Sequence, residues 1–256
     1  MNIDKNIWDE FTEFRQVCKA NPVFPKCVFL HHLEELLPTL AITIPSGDVF
    51  YRARVYHNNF PELALDYAKR IHDDIEHGDQ ILEQMKKAFD KLTALKESGF
   101  NGFDAAGSFV NPNPRAIGSG RCNHNHEVCL YIAEDIETAI SELKPLIQEE
   151  ISVAQVKIKE ELKVIDFGFN ASDSPYKELV SFLFVTSPTQ EDYDAYTYSQ
   201  IICSFVKKMG YDGIKYTSCQ NLGKTNYVIF NYDKCEAIAS NVYTVKSISY
   251  EFDEKT

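Results

Sequence analysis

Apolar residues recur at Ile7, Trp8, Phe11, Phe14, Val17 and Cys18, a helical spacing that predicts a helix from Ile3 to Cys18, and Asn21-Pro22 with Pro25 stops it. A second short helix is predicted over His31 to Leu37. Beyond Pro38 and the turn-forming Pro45-Ser46-Gly47-Asp48, the run Val49 to Tyr56 is rich in strand formers. Strand alternation puts Arg52 and Arg54 on one face and Tyr51, Ala53 and Val55 on the other, so the two arginines are candidates for one pocket, though only one need enter it. From Glu62 to Lys96 the period is again helical, with Leu63, Ile71, Ile75, Met85, Phe89 and Leu92 in its apolar stripe and His77-Gly78-Asp79 as a break. The expectation there is an inserted helical hairpin with a structural or partner-binding role.

The pattern changes abruptly at Ser98. Through Gly120 the chain is dense in Gly, Asn, Pro and Ser and reads as a long loop, a feature that inside a compact domain is more often functional than decorative. Val128 to Ala133 is a predicted strand. Asp135 then caps a predicted helix running through Leu146, with Ile136, Ala139, Ile140 and Leu143 apolar and Glu142 close to that face. Further strands are predicted at Gln155 to Lys159, Lys163 to Phe167, Ile214 to Tyr216 and Tyr227 to Phe230, and a helix at Tyr198 to Met209. The short apolar run Phe182 to Thr186 reveals no period. These elements describe a mixed α/β (α+β) protein, divided into a helical N-terminal extension over 1–45 and a domain over 46–256 that carries the insertion 62–96.

A chain of 256 residues can bury a substantial core in one elaborated domain. Its formal charge of −12, from 38 acidic against 26 basic residues, argues against a nucleic-acid or anionic-membrane surface. It does not exclude an anionic small molecule, because local arginines can focus a cleft. The start of the chain, MNIDKNIWDEFTEF, has acids and no continuous apolar stretch, so neither a signal peptide nor a membrane span is expected there. The seven cysteines are odd in number and scattered, which fits a reducing compartment with most of them as small buried hydrophobes. Cytoplasmic residence is the resulting expectation.

The candidate chemistry lies in Arg52, Arg54, Arg121, Tyr131, Glu142 and Ser218. A guanidinium fork matches the paired oxygens of pyrophosphate, and a glutamate nearby can accept from a ribose hydroxyl, so the set points to a dinucleotide. Singly, each has an ordinary reading: an exposed strand arginine, a loop-end Arg121, a solvent-facing helical Glu142, a core Tyr131 and a turn serine at Ser218. Zinc is the alternative for Cys122, His124, His126 and Cys129, but Cys129 has the opposite parity in an extended segment and no short Cys-x-x-Cys or His-x-x-x-His pair is present. The expectation is no metal. The glycines match neither standard phosphate loop, which disfavours redox use of a nicotinamide cofactor and leaves side chains to hold the ligand.

Taken in order, Tyr51-Arg52-Ala53-Arg54, Gly120-Arg121-x-Asn123, Leu130-Tyr131-Ile132-Ala133 with Thr138-Ala139-Ile140-x-Glu142, and Tyr216-x-Ser218 with Gly223 and Asn226-Tyr227-Val228-Ile229-Phe230 resemble the RES domain, over approximately residues 48 to 235. The resemblance implies a fold like that of ADP-ribosyltransferases and diphtheria toxin, and the activity of a bacterial toxin that consumes NAD and is neutralised by an Xre-like antitoxin. It also implies Arg52 and Arg121 as the family arginines, Tyr131 as the aromatic residue before the acidic helix, Glu142 as the glutamate, Ser218 as the serine and Asn226 as the late polar residue. Two departures stand out: Cys122-Asn123-His124-Asn125 replaces an apolar residue followed by an Asn-Pro or Asn-Ser turn, and the 62–96 stretch exceeds that of the smallest members.

In NAD the nicotinamide leaves as a neutral molecule from a cationic bond, so no general acid is needed and the barrier lies in building positive charge on the ribose. The expected catalytic residues are Arg52, Tyr131, Glu142 and Ser218, and the expected NAD contacts are Arg52, Arg121, Tyr131, Ser218 and Asn226. Glu142 would stabilise the developing cation, the arginines would clamp pyrophosphate, Tyr131 would stack on nicotinamide or cap its ribose, and Ser218 would position without acting as a nucleophile. NAD is then a substrate, with no prosthetic group. The acceptor is left open between water and phosphate; the alternatives are an ADP-ribosyltransferase acting on a specific protein and a catalytically silent interaction module.

Overall fold

The computed structural model describes residues 4–20, 26–56, 78–109, 115, 117–169, 174–185 and 196–249. Helix α1, Lys5–Ala20, opens with the Asp4 carboxylate accepting from Asn6 N at 2.7 Å, and it buries Phe11, Phe14 and Cys18. Helix α2, Val28–Leu40, is longer than the predicted His31–Leu37 because Phe29 and Leu30 are buried as well. Both Phe11 and Phe14 meet Phe29 with ring centroids 5.2 Å apart. Strand β1, Ala41–Ile44, follows directly, and β2 is Val49–Val55. Helix α3 is Gly78–Glu97; the first half of the expected hairpin, 62–77, lies outside the described residues.

Within the expected 98–120 loop, Asp104 caps a single turn, α4, Ala105–Ser108. Strand β3, Leu130–Ala133, leads into α5, Ile136–Ser141, whose cap is Asp135 accepting from Thr138 N at 2.7 Å. The helix expected to reach Leu146 stops five residues earlier in the chain. Lys144 has a φ of +50°, and Pro145 behind it disfavours a helical residue before it. Glu142 is therefore the residue just past a helix end and not a mid-helix residue. There follow β4, Glu150–Ile158, β5, Leu162–Asp166, α6, Pro175–Val185, α7, Thr197–Lys208, β6, Gly213–Thr217, β7, Thr225–Ile229, and β8, Cys235–Thr244. Phe182 to Val185 completes α6, whose start has Pro at the position where a missing N–H costs nothing.

The strands form one eight-stranded sheet in the order β1-β5-β6-β7-β3-β2-β4-β8, antiparallel throughout except for β5 beside β6. Alternation along the strands separates two cores. Ile165, Phe167, Ile214 and Val228 face a layer made by α1, α2, α6 and α7, while Val164, Leu162, Leu130 and Ile132 face a smaller cluster with Phe50 and Ile158. The N-terminal helices thus share a core with the sheet. The fold is mixed α/β. Among the described residues, no helix is long and apolar enough to cross a membrane.

One junction in the sheet is nearly open. Where β4 pairs with β2 over seven register positions, β3 meets β2 only at Tyr51 opposite Ala133. The two halves of the sheet diverge there.

Candidate active site

A cleft of about 220 Å³ lies at that divergence. Its walls come from Tyr51, Arg52 and Ala53 of β2, Tyr131 to Ala133 of β3, Ala139, Glu142 and Leu143 at and after α5, and Tyr216 and Asn226 of the neighbouring strands. The volume falls below the roughly 300–1,000 Å³ of drug-sized ligand pockets, so the cleft is too small to enclose a whole dinucleotide.

Arg52 spans the open junction. Its Nη1 donates to the carbonyl of Tyr131 at 2.9 Å, taking the place of a ladder bond that the diverging strands do not make. Its Nε is buried without a hydrogen-bond partner among the described residues. Burial, with the neighbouring Arg54 adding to it, lowers the guanidinium from its ordinary value to about 10, so it stays charged at neutral pH. Arg54, on the same strand face, is drawn elsewhere: its Nη2 donates to Phe109 O at 3.0 Å, and it does not line the cleft.

Glu142 is exposed, yet one of its oxygens is tied to the protein. Oε1 accepts from Ser218 Oγ and from Asn226 Nδ2, each at 2.6 Å, and both donors are buried. Charge-assisted bonds this short hold an otherwise mobile side chain at a fixed place. The Ser218 hydroxyl also accepts from Gln220 N at 3.2 Å and Asn221 N at 3.0 Å, which closes a tight turn after β6. Asn221 Nδ2 in turn donates to Thr138 Oγ1 of α5 at 3.1 Å, so the turn and the helix that delivers Glu142 are locked together. Ser218 is fully buried and does not line the cleft, whereas Asn226 does.

Tyr131 is fixed from the other side. Its hydroxyl donates to Asn123 Oδ1 at 2.8 Å and accepts from Cys122 N at 2.9 Å, and burial pushes its ionisation well above the ordinary tyrosine value. The turn approaches so closely that a Cβ on Gly120 would stand 2.6 Å from Asn123 Oδ1 and 2.9 Å from the Tyr131 hydroxyl. Only glycine fits. Arg121, next in the chain, stands behind the cleft: Nη1 donates to Leu183 O at 3.3 Å, Nη2 reaches Cys219 Sγ at 3.7 Å, and the guanidinium lies 5.4 Å from the centre of the Tyr196 ring.

The fold therefore brings Arg52, Tyr131, Glu142 and Asn226 to one cleft, puts Ser218 directly beneath Glu142, and sets Arg121 outside the lining. Tyr51 and Tyr216 join the walls without having been singled out for that role. Alternation had turned Tyr51 away from Arg52, and only the divergence of the strands lets both reach the same opening. Cys122 and Cys129 are core thiols while His124 and His126 are exposed, and among the described residues no cluster of three or more His, Cys, Asp or Glu is placed to hold a metal ion.

No curated protein matches the chain. Among solved structures, the crystal structure of the M. tuberculosis MbcT-MbcA toxin-antitoxin complex is similar at 12% identity and a TM-score of 0.43, covering 83% of this chain and 92% of that one. The RES domain matches residues 93–253, a span that includes Arg121, Tyr131, Glu142, Ser218 and Asn226 and begins after Arg52. Since that span is well over half of the chain, this protein belongs to the RES domain family.

Proposed function

We propose that this RES-domain protein consumes NAD by breaking the bond between nicotinamide and ribose, as the toxin of a toxin–antitoxin pair. The observation that carries the reading is the Glu142 carboxylate, held at the cleft by Ser218 and Asn226 beside a cationic Arg52 whose Nε has no partner among the described residues. A fixed carboxylate stabilises positive charge that grows on the ribose in the transition state, and it does so without reorganising at that moment. The electron pair of the C1′–N bond departs with nicotinamide, which leaves neutral. An oxygen of water or phosphate then bonds C1′, and its proton passes to solvent.

The cleft volume suits the nicotinamide riboside end, with Tyr131 and Tyr216 offering aromatic faces to the ring and Arg52 an anchor for the first phosphate. Arg121 lies outside the lining, so we assign it to the remainder of the dinucleotide or to support of Tyr216, whose ionisation is raised by burial, a rise opposed by the charge of Arg121. The similar solved structure is a toxin–antitoxin complex, which accords with a protein antitoxin as partner here; an Xre-like class is what the family suggests.

The experiment is incubation of purified protein with NAD, with and without phosphate and with a cell lysate, followed by product identification. Release of nicotinamide is expected, accompanied by ADP-ribose or its 1″-phosphate. Labelled lysate protein in place of both would make the chain a protein ADP-ribosyltransferase. No nicotinamide under any condition would sink the NAD reading and favour a silent interaction module.

A further inference from the structure

We propose that Gln200, remote from the cleft lining, is a positioning residue for the site, acting through the 118–123 turn on Tyr131; this rests on the reading of the cleft as a nucleotide site. Gln200 is buried on α7, at 6% exposure. Its Nε2 reaches three oxygens of one turn: Ser119 Oγ at 2.7 Å, Gly120 O at 2.8 Å and Asn123 O at 3.0 Å. The two carbonyls can only accept, so the amide must present its NH₂ group to them. Its neighbour Ser199 donates to Arg121 O at 2.7 Å, so α7 grips the turn at consecutive positions.

What that turn holds is the tyrosine. Asn123 Oδ1 and Cys122 N are the two partners of the Tyr131 hydroxyl, and the carbonyl of Tyr131 is the acceptor for Arg52. Asn123 has no freedom to adjust alone, because its Nδ2 is spent on Gly118 O and His124 O, each at 2.9 Å. A continuous line of bonds thus runs from α7 through Gln200 and the turn to an aromatic wall and its cation. Removing the Nε2 donor takes from the half-buried Gly120 carbonyl its bond to α7 and leaves Asn123 O with only Gly120 N at 3.0 Å, a bond inside the turn, so the turn is freed from α7 and can relax away from Tyr131. Gln200 touches nothing in the cleft, so its effect falls on how well the ligand is held.

The test compares Gln200→Leu, which keeps bulk, and Gln200→Glu, which keeps shape and turns the donor into an acceptor. For both, KM for NAD should rise about tenfold or more while kcat stays within about threefold, the signature of lost uniform binding. Combined with Tyr131→Phe, Gln200→Leu should add little beyond the worse single change, because both act through the same turn. An unchanged KM, or effects that multiply in the double variant, would overturn the proposal, even if the melting temperature fell. If the wild-type protein neither binds nor turns over NAD, the nucleotide reading fails by itself. Hydrogen exchange of the 118–131 peptide then decides on Gln200: faster exchange in both variants supports the line of bonds, and unchanged exchange removes it.

Discussion

Glu142 and Arg52 line one cleft, and the protein treats their charges in different ways. The carboxylate is exposed at the surface of the molecule, but its Oε1 receives two short bonds from buried donors, one in the turn after β6 and one on β7. The guanidinium is more deeply placed, makes its bond to a backbone carbonyl, and keeps a buried Nε without a partner among the described residues. One group is positioned at little desolvation cost; the other bears that cost with incomplete compensation. Under the proposed activity, a carboxylate that stabilises a transient charge would benefit from being fixed in advance, whereas a cation lining the cleft would attract an anion by its charge, which the incomplete compensation leaves unneutralised.

The strongest way to break the contrast is to remove the negative charge while keeping the bonds. In Glu142→Gln the side-chain carbonyl still accepts from Ser218 and Asn226, so the fold should melt as before and nicotinamide release should fall by about 10²–10³-fold. A rate within a few fold of wild type would deprive the carboxylate of its electrostatic role. On the other wall, Arg52→Met should weaken NAD binding by about 10–100-fold, read by titration calorimetry, in line with loss of charge-assisted bonds. Its melting temperature should hold or rise. The sign follows from the lowered guanidinium: a cation whose folded value lies below its ordinary one disfavours folding at every pH below about 10, and that penalty fades only as pH rises above it. A large fall in melting temperature at neutral pH would mean that Arg52 is chiefly a structural tie between β2 and β3.

Smaller effects sharpen the picture of the carboxylate wall. Ser218→Ala and Asn226→Ala should each lower kcat by about tenfold, and together by less than the product, since the two donors share one oxygen. Multiplying losses would show that they act separately. Smallest of all, Arg54→Ala should leave NAD affinity within about threefold, because that guanidinium is committed to Phe109 O and lies off the cleft. A loss as large as that of Arg52→Met would put both arginines on the ligand.

Local signals were legible where one short segment carries the whole physical cause. Asp135 announces a helix start because a carboxylate at that position satisfies a free N–H, and α7 shows its apolar period over a single stretch ending near Gly210, whose φ of +86° suits a helix end. The end of α5 was misplaced because the apolar period runs on through Leu143, while the stop depends on Lys144 and Pro145. Strand β8 had no legible pattern: Ile238, Val242 and Tyr243 stand among small and polar residues without a sustained alternation, and its place is decided by pairing with β4. The cleft itself could be named by residue type and not by geometry. Alternation put Arg52 and Arg54 together, and only the position of Phe109 O decides which of them is drawn away.

What the sequence by itself determined is the set of chemical groups and the local elements that carry them: a strand with two arginines, a capped helix delivering a glutamate, a turn serine, and membership of the RES domain family. The tertiary structure alone decided that β2 and β3 part after a single pairing, that Ser218 lies beneath a carboxylate 76 positions away, and that Gln200 of α7 grips the turn around Tyr131. The physical reason is range. Capping, periodicity and turn chemistry act over a few residues and leave their mark in adjacent letters, whereas a hydrogen bond between distant segments depends on how the layers pack, which no local pattern records.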